Sequence, residues 1–103
     1  MSRHTVSKYQ IMFYGGKDGY NSCRAQINIH ADSGIVGFIR FHDAGRPLAE
    51  DAEEGGKIVM HLPLSSFEGV LDVLRNEKPL TFYRMGSSAF LTSEAEMAGV
   101  GDR

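Results

Sequence analysis

The residues of this chain that could do chemistry are four histidines, one cysteine, several serines and a cluster of carboxylates. His30, His42 and His61 each fall near the end of an alternating apolar stretch, and three imidazoles suffice in principle for a catalytic zinc ion. Strand alternation puts all three on one face of a sheet. His30, however, lies beside a turn, and His42 closes the far end of the same hairpin opposite Arg24, so those two cannot share an ion. A His42–His61 pair requires the intervening segment to bring the chain back in matching register. Surface histidines are the plainer reading, and no metal or other cofactor is expected. His4, in the N-terminal segment, adds nothing to this set.

Cys23 is the only cysteine, which excludes an internal disulfide and a cysteine-rich zinc site. It alternates in phase with apolar neighbours, so a buried, inert thiol is expected. Ser65, Ser66, Ser87 and Ser88 lie in no nucleophile-elbow context. Gly15-Gly16-Lys17 lacks the glycine spacing, the hydroxyl residue after lysine and the following helix of a phosphate loop. The carboxylates between residues 43 and 56 do not have EF-hand spacing and read as solvated charge. With no catalytic motif, the chain is expected not to be an enzyme.

What remains is one sheet face carrying Arg24, Gln26, Asn28, Phe38, Arg40, Lys57 and His61. Cations and amides around an exposed aromatic ring are the ingredients of single-stranded nucleic-acid binding. Val36, Val59 and Phe38 add an apolar component that suits a protein interface or a second copy of the chain. A non-enzymatic interaction or self-assembly module is the favoured expectation, with single-stranded nucleic acid as the alternative. A homodimer is expected because residues 9–14 and 35–41 are apolar on both faces, more than one short helix can cover.

The elements that must position this face are mostly strands. Tyr9 to Tyr14 is aromatic and β-branched, as in a first strand, and the GGKDGYNS that follows is turn chemistry, with Asn21 among its turn residues. From Ser22 to Ala31, polar residues alternate strictly with Cys23, Ala25, Ile27, Ile29 and Ala31, the pattern of a half-buried strand. A connection through Asp32-Ser33-Gly34 leads into Ile35 to His42. Pairing Ala31 with Ile35 puts Ile29 opposite Gly37, Ile27 opposite Ile39 and Ala25 opposite Phe41, since a one-residue slip would turn every apolar side chain into water. Ile58, Met60 and Leu62 define the inward face of a fourth strand, with Lys57, Val59 and His61 outward.

Phe67, Val70, Leu71 and Leu74 form an i, i+3, i+4, i+7 stripe, so a helix is expected from Ser65, capped by a Ser65–Glu68 box, to about Asn76. Gly69 weakens it unless the backbone must approach the sheet there. Leu80 to Met85 and Ser88 to Thr92 form a hairpin about Gly86-Ser87, pairing Phe82 with Leu91 and Tyr83 with Phe90.

The predicted fold is α+β: an antiparallel sheet of about six strands in the order β-β-β-β-α-β-β, with one helix packed on one face. At 103 residues it reads as a single domain, 1–103. Residues 1–8 and about 95–103 are expected to fray. Residues 43–56 should be a mobile acidic loop, with a short helical turn around Leu48 to Glu54 as an option. That loop carries a local sum of −4 out of a formal net charge of −2, leaving the rest of the chain only mildly basic. No apolar run is long enough to span a bilayer, and Met1 to Gln10 has no signal-like apolar core, so a cytoplasmic protein without membrane contact is expected.

Overall fold

The computed structural model describes residues 3–20 and 22–93. Asn21 and the C-terminal segment expected to fray lie outside the described residues. The elements are β1 (Arg3–Thr5), β2 (Lys8–Phe13), β3 (Ala25–Ala31), β4 (Gly34–His42), β5 (Ala52–Glu54), β6 (Lys57–Pro63), a 3-10 turn (Leu64–Ser66), α1 (Phe67–Asn76), β7 (Leu80–Met85) and β8 (Ser88–Ser93). Among the described residues the class is α+β with one α-helix, as the patterns require. Among the described residues no helix is long and apolar enough to cross a membrane.

The strands form two sheets, not one: five in the order β2-β3-β4-β6-β5 and three in the order β1-β7-β8. The final hairpin lies across the first sheet instead of extending it. Phe82 is the reason at the core. It is fully buried, and its ring occupies the space where any residue larger than Gly37 would place a Cβ, which would also strike the Ile58 carbonyl. The inner face of the larger sheet (Ala25, Ile27, Ile29, Ile39, Phe41, Ile58, Met60) is therefore covered jointly by Phe67, Leu71 and Leu74 of α1 and by Leu80 and Phe82 of β7. The apolar surface assigned above to a dimer partner is covered to this extent within the chain.

The pairing is not wholly antiparallel either, because β4 and β6 run parallel. Parallel neighbours need a crossover of about a dozen residues, which accounts for the long acidic segment. It carries no helical turn. It passes the position of β6, forms β5 at the edge, and turns back through Gly55 (φ +60°) and Gly56 (φ +82°), a pair suited to a tight hairpin.

The β3–β4 register is as read from Ala25↔Phe41 to Ile29↔Gly37, but the turn end differs. His30 pairs with Ile35 and Ala31 with Gly34, so the loop is one residue shorter, Asp32-Ser33, and a bulge follows at Val36. The bulge turns Ile35 outward (38% exposed) and Val36 into the core (6%), reversing their expected faces. Val59 is also fully buried, although on the outward side of β6.

Arg3–Thr5, expected to fray, pairs with Tyr83 to Thr81 of β7, and Arg3 lies over the Tyr83 ring at 4.1 Å. The chain then crosses between sheets: Val6 N–H donates to Leu80 O at 2.9 Å and Ser7 N–H to His30 O at 2.7 Å. On the other side, the Asp51 carboxylate accepts from His61 N–H (2.7 Å) and Ala89 N–H (2.8 Å), while Asp51 N–H donates to Ser87 O (3.1 Å). Two seams thus join the sheets.

The helix ends at Asn76 as predicted, but it starts without a capping box. The 3-10 turn already holds Ser66 at φ −86°, ψ −4°, whereas a side-chain cap needs an extended N-cap backbone. A Cβ at Gly69 would meet nothing within 4 Å, so close approach to the sheet is not why glycine stands there. The β7–β8 hairpin has the expected register, with Gly86 at φ +60° in its turn.

Candidate functional site

The outer face of the five-stranded sheet brings Gln26, Asn28, Phe38, Arg40 and His61 together by register, with Lys57 on the same side of β6. Arg24 sits at the corner of this face, and its chemistry is spent. Its Nε donates to Asp43 Oδ1 (3.1 Å), Nη1 to the carbonyls of Tyr14 (2.8 Å) and Gly16 (2.9 Å), and Nη2 to Lys17 O (3.1 Å) and Asp43 Oδ2 (3.0 Å). All five guanidinium N–H groups are engaged in tying the backbone of residues 14–17 to Asp43, which directly follows β4. The same pair holds the Asp43 carboxyl below its usual range, through the hydrogen bonds first. A phosphate could recruit Arg24 only by dismantling the loop, which removes one of the main cations of a nucleic-acid surface.

The amides are interlocked rather than displayed. Asn28 Nδ2 donates to Gln10 Oε1 (3.2 Å), Gln26 Nε2 to Asn28 Oδ1 (2.9 Å) and Arg40 Nε to Gln26 Oε1 (3.1 Å). Gln26 and Asn28 are consequently buried. The Arg40 guanidinium lies 5.6 Å from the Phe38 ring centre, and its Nη1 stands 4.0 Å from Glu54 Oε1.

The parallel β4–β6 register sets Arg40 beside His61 and His42 beside Pro63, and thereby joins two histidines whose meeting depended on that return. His42 Nε2 and His61 Nδ1 are 2.9 Å apart, and His42 Nδ1 is 2.9 Å from the Ser22 carbonyl. A carbonyl only accepts, so His42 carries its proton on Nδ1. Its Nε2 is then the acceptor for His61 Nδ1–H, and neutral His61 keeps a lone pair on Nε2. Ser22 holds a positive φ of 65°, unusual outside glycine, and thereby aims that carbonyl. Burial first, then His42, pushes His61 below its ordinary value of 6.5. Cys23 is buried, donates to Ala25 O at 2.9 Å, and burial pushes its thiol up, away from thiolate chemistry. His30 stands apart at the other end of β3. Among the described residues no group of three or more His, Cys, Asp or Glu side chains is placed to hold a metal ion.

A second site lies on the other side of the larger sheet, where sequence patterns gave no reason to look. Beyond the Asp51 seam, β6, α1 and β8 enclose a groove of about 500 Å³, lined by Met60, Leu62, Gly69, Val70, Val73 and Leu91, with Ser65 and Ser66 where the helix begins. That volume is in the range of binding pockets for small molecules and peptide side chains. Val73 and Gly69 lie outside the four-residue core stripe. The signal that could have shown this is the breadth of the apolar arc, since Val70 and Val73 are only half-buried while Phe67, Leu71 and Leu74 fill the core.

One wall of the groove is a strand edge. The Gly86-Ser87 turn makes Met85↔Ser88 a hydrogen-bonded pair, so bonded pairs alternate at Tyr83↔Phe90 and Thr81↔Thr92. Ala89 and Leu91 therefore turn their N–H and C=O groups away from β7. Asp51 takes the N–H of Ala89, and the outward backbone groups of Leu91, a residue that lines the groove, lie along the edge of β8, the edge strand among the described residues.

No protein-family model matches the chain, and comparisons with curated proteins and with solved structures return no match.

Proposed function

We propose that this protein is a non-enzymatic binding module that takes an extended segment of a partner polypeptide between α1 and the edge of β8. The observation carrying this reading is the apolar groove of about 500 Å³ that adjoins outward backbone groups of an edge strand. A ligand strand would pair its backbone with Leu91 and set alternate apolar side chains against Met60, Val70 and Val73. Main-chain bonds supply affinity in this mode, and the side-chain pockets supply selectivity. The space left open at Gly69 lets a ligand side chain lie against the helix backbone.

Selection from a displayed random-peptide library, followed by fluorescence polarisation with the synthetic winners, tests the proposal. Recovered peptides should alternate apolar residues, and Val73→Glu should weaken their binding at least about tenfold, because a carboxylate at the groove wall must be desolvated by the ligand. Val73 also packs partly against the core, so binding is compared at a temperature where thermal unfolding shows the Val73→Glu protein folded. Failure to select any peptide, or equal binding by the Val73→Glu protein, would sink it. Self-assembly is the neighbouring outcome: a dimer in light scattering that Val73→Glu dissociates would identify the occupant as a second copy of the chain.

A further inference from the structure

The outer sheet face holds a separate cavity of about 70 Å³, lined by Tyr20, Cys23, Gln26, Arg40, His42 and His61. It has room for a few water molecules or one small ion. We propose that this cavity binds a small oxyanion together with a proton, with Arg40 as the fixed cation and His61 as the proton carrier.

Arg40 is the cation of this face that is both held in place and incompletely used. Its Nε is fixed to Gln26, which is fixed in turn through Asn28. Its nearest carboxylate, Glu54, stands 4.0 Å from Nη1, beyond hydrogen-bond reach, and the Glu54 side chain is 60% exposed. The terminal guanidinium N–H groups thus have no acceptor among the described residues, and their planar fork matches an oxyanion. The other arginines nearby differ. Arg24 has no free donor, and Arg46 is paired with Asp18 at 2.8 Å.

The histidines supply the second half of the site. Because Ser22 O fixes the His42 tautomer, neutral His61 presents a lone pair at Nε2, which repels an anion until it is protonated. Protonation at Nε2 leaves the His61–His42 bond intact, so the charge is added without rearranging the dyad. The charged and titratable groups facing His61 are His42 and Arg40 from β4, Glu54 from β5, and Asp51 from the crossover, whose carboxylate is committed to two backbone N–H groups. Tyr20 and Cys23 lie across the cavity. Burial first, then His42 and Arg40, opposes protonation of His61 and outweighs the Asp51 and Glu54 carboxylates, which favour it. An oxyanion on Arg40 offsets that opposition. Anion and proton therefore favour each other, reciprocally by linkage.

Inorganic sulfate is a suitable probe because its charge does not change between pH 6 and 8. Histidine Cε1–H resonances of the full chain are followed during sulfate titration, with sodium chloride at matched ionic strength as the control. The expected result is saturable shifts at His61 and His42, with binding at least about fivefold tighter at pH 6 than at pH 8. Arg40→Gln should weaken sulfate at pH 6 about tenfold, the scale of a lost charge-assisted contact. His61→Gln should leave weaker binding that no longer depends on pH. Shifts that do not saturate or that chloride reproduces, or an Arg40→Gln protein that binds like the parent, overturn the proposal. If Arg40→Gln fails to fold, His61→Gln decides alone, since retained pH dependence in that protein rejects the coupling.

Discussion

At the scale of single residues, placement decides what a group can still do. Arg24 and Arg40 belong to the same basic face in sequence, yet the first is exhausted by five hydrogen bonds and the second retains donors. His61 shows the same logic in its titration. Burial and His42 depress its folded value below the ordinary 6.5, so the unfolded chain binds the proton more readily. Stability from this group is fully present above about pH 6.5 and is lost as pH falls through the lower folded value. Thermal unfolding followed from pH 8 to pH 5 should show the midpoint falling in that window, and His61→Gln should flatten the fall. An equally steep fall in His61→Gln would assign the pH dependence elsewhere.

At the scale of elements, patterns of period two and 3.6 were legible wherever burial was one-sided. Ala25 to Ile29 pairs with Gly37 to Phe41, and Leu80 to Met85 with Ser88 to Ser93, one residue beyond the expected Thr92 but in the expected register, because a slip would expose an entire apolar face. Ile35 and Val36 take the faces opposite to their alternation, since a bulge leaves no mark in an apolar run. The Arg3–Thr5 strand was invisible because its residues contribute backbone pairing and little burial. The parallel β4–β6 pairing was hidden in the acidic crossover, which reads as loop, and the His42–His61 contact depends on it. For α1, the freedom around Gly69 makes a further outcome definite. A methyl group there meets nothing within 4 Å, so Gly69→Ala should stabilise the protein by about 0.5–1 kcal/mol through helix propensity. The urea midpoint reads this directly. The same methyl group fills part of the proposed groove, so peptide binding should weaken as stability rises.

At the scale of the whole molecule, the two sheets share one core, and two seams of hydrogen bonds fix their edges to each other. One seam is the continuous passage from β1 to β2, which covalent connection enforces. The other rests on Asp51, a residue that composition assigns to a solvated acidic loop. Its carboxylate bonds β6 through His61 N–H and β8 through Ala89 N–H, both partly buried. Hydrogen bonds to a charged partner contribute about 1.5–3 kcal/mol each, so Asp51→Ala, allowing for water reaching this partly open site, should cost about 2–4 kcal/mol. Asp51→Asn should cost nearly as much, because an amide offers only one acceptor and turns a donor toward the second N–H. The location of the damage distinguishes a seam from a general loss of stability. Hydrogen exchange should accelerate first at the amides of His61 and Ala89, under conditions where β3 and β4 amides still exchange only by global unfolding. Uniform acceleration across both sheets, or a loss below about 1 kcal/mol, would mean that core contacts such as Phe82 against Gly37 hold the sheets together without Asp51.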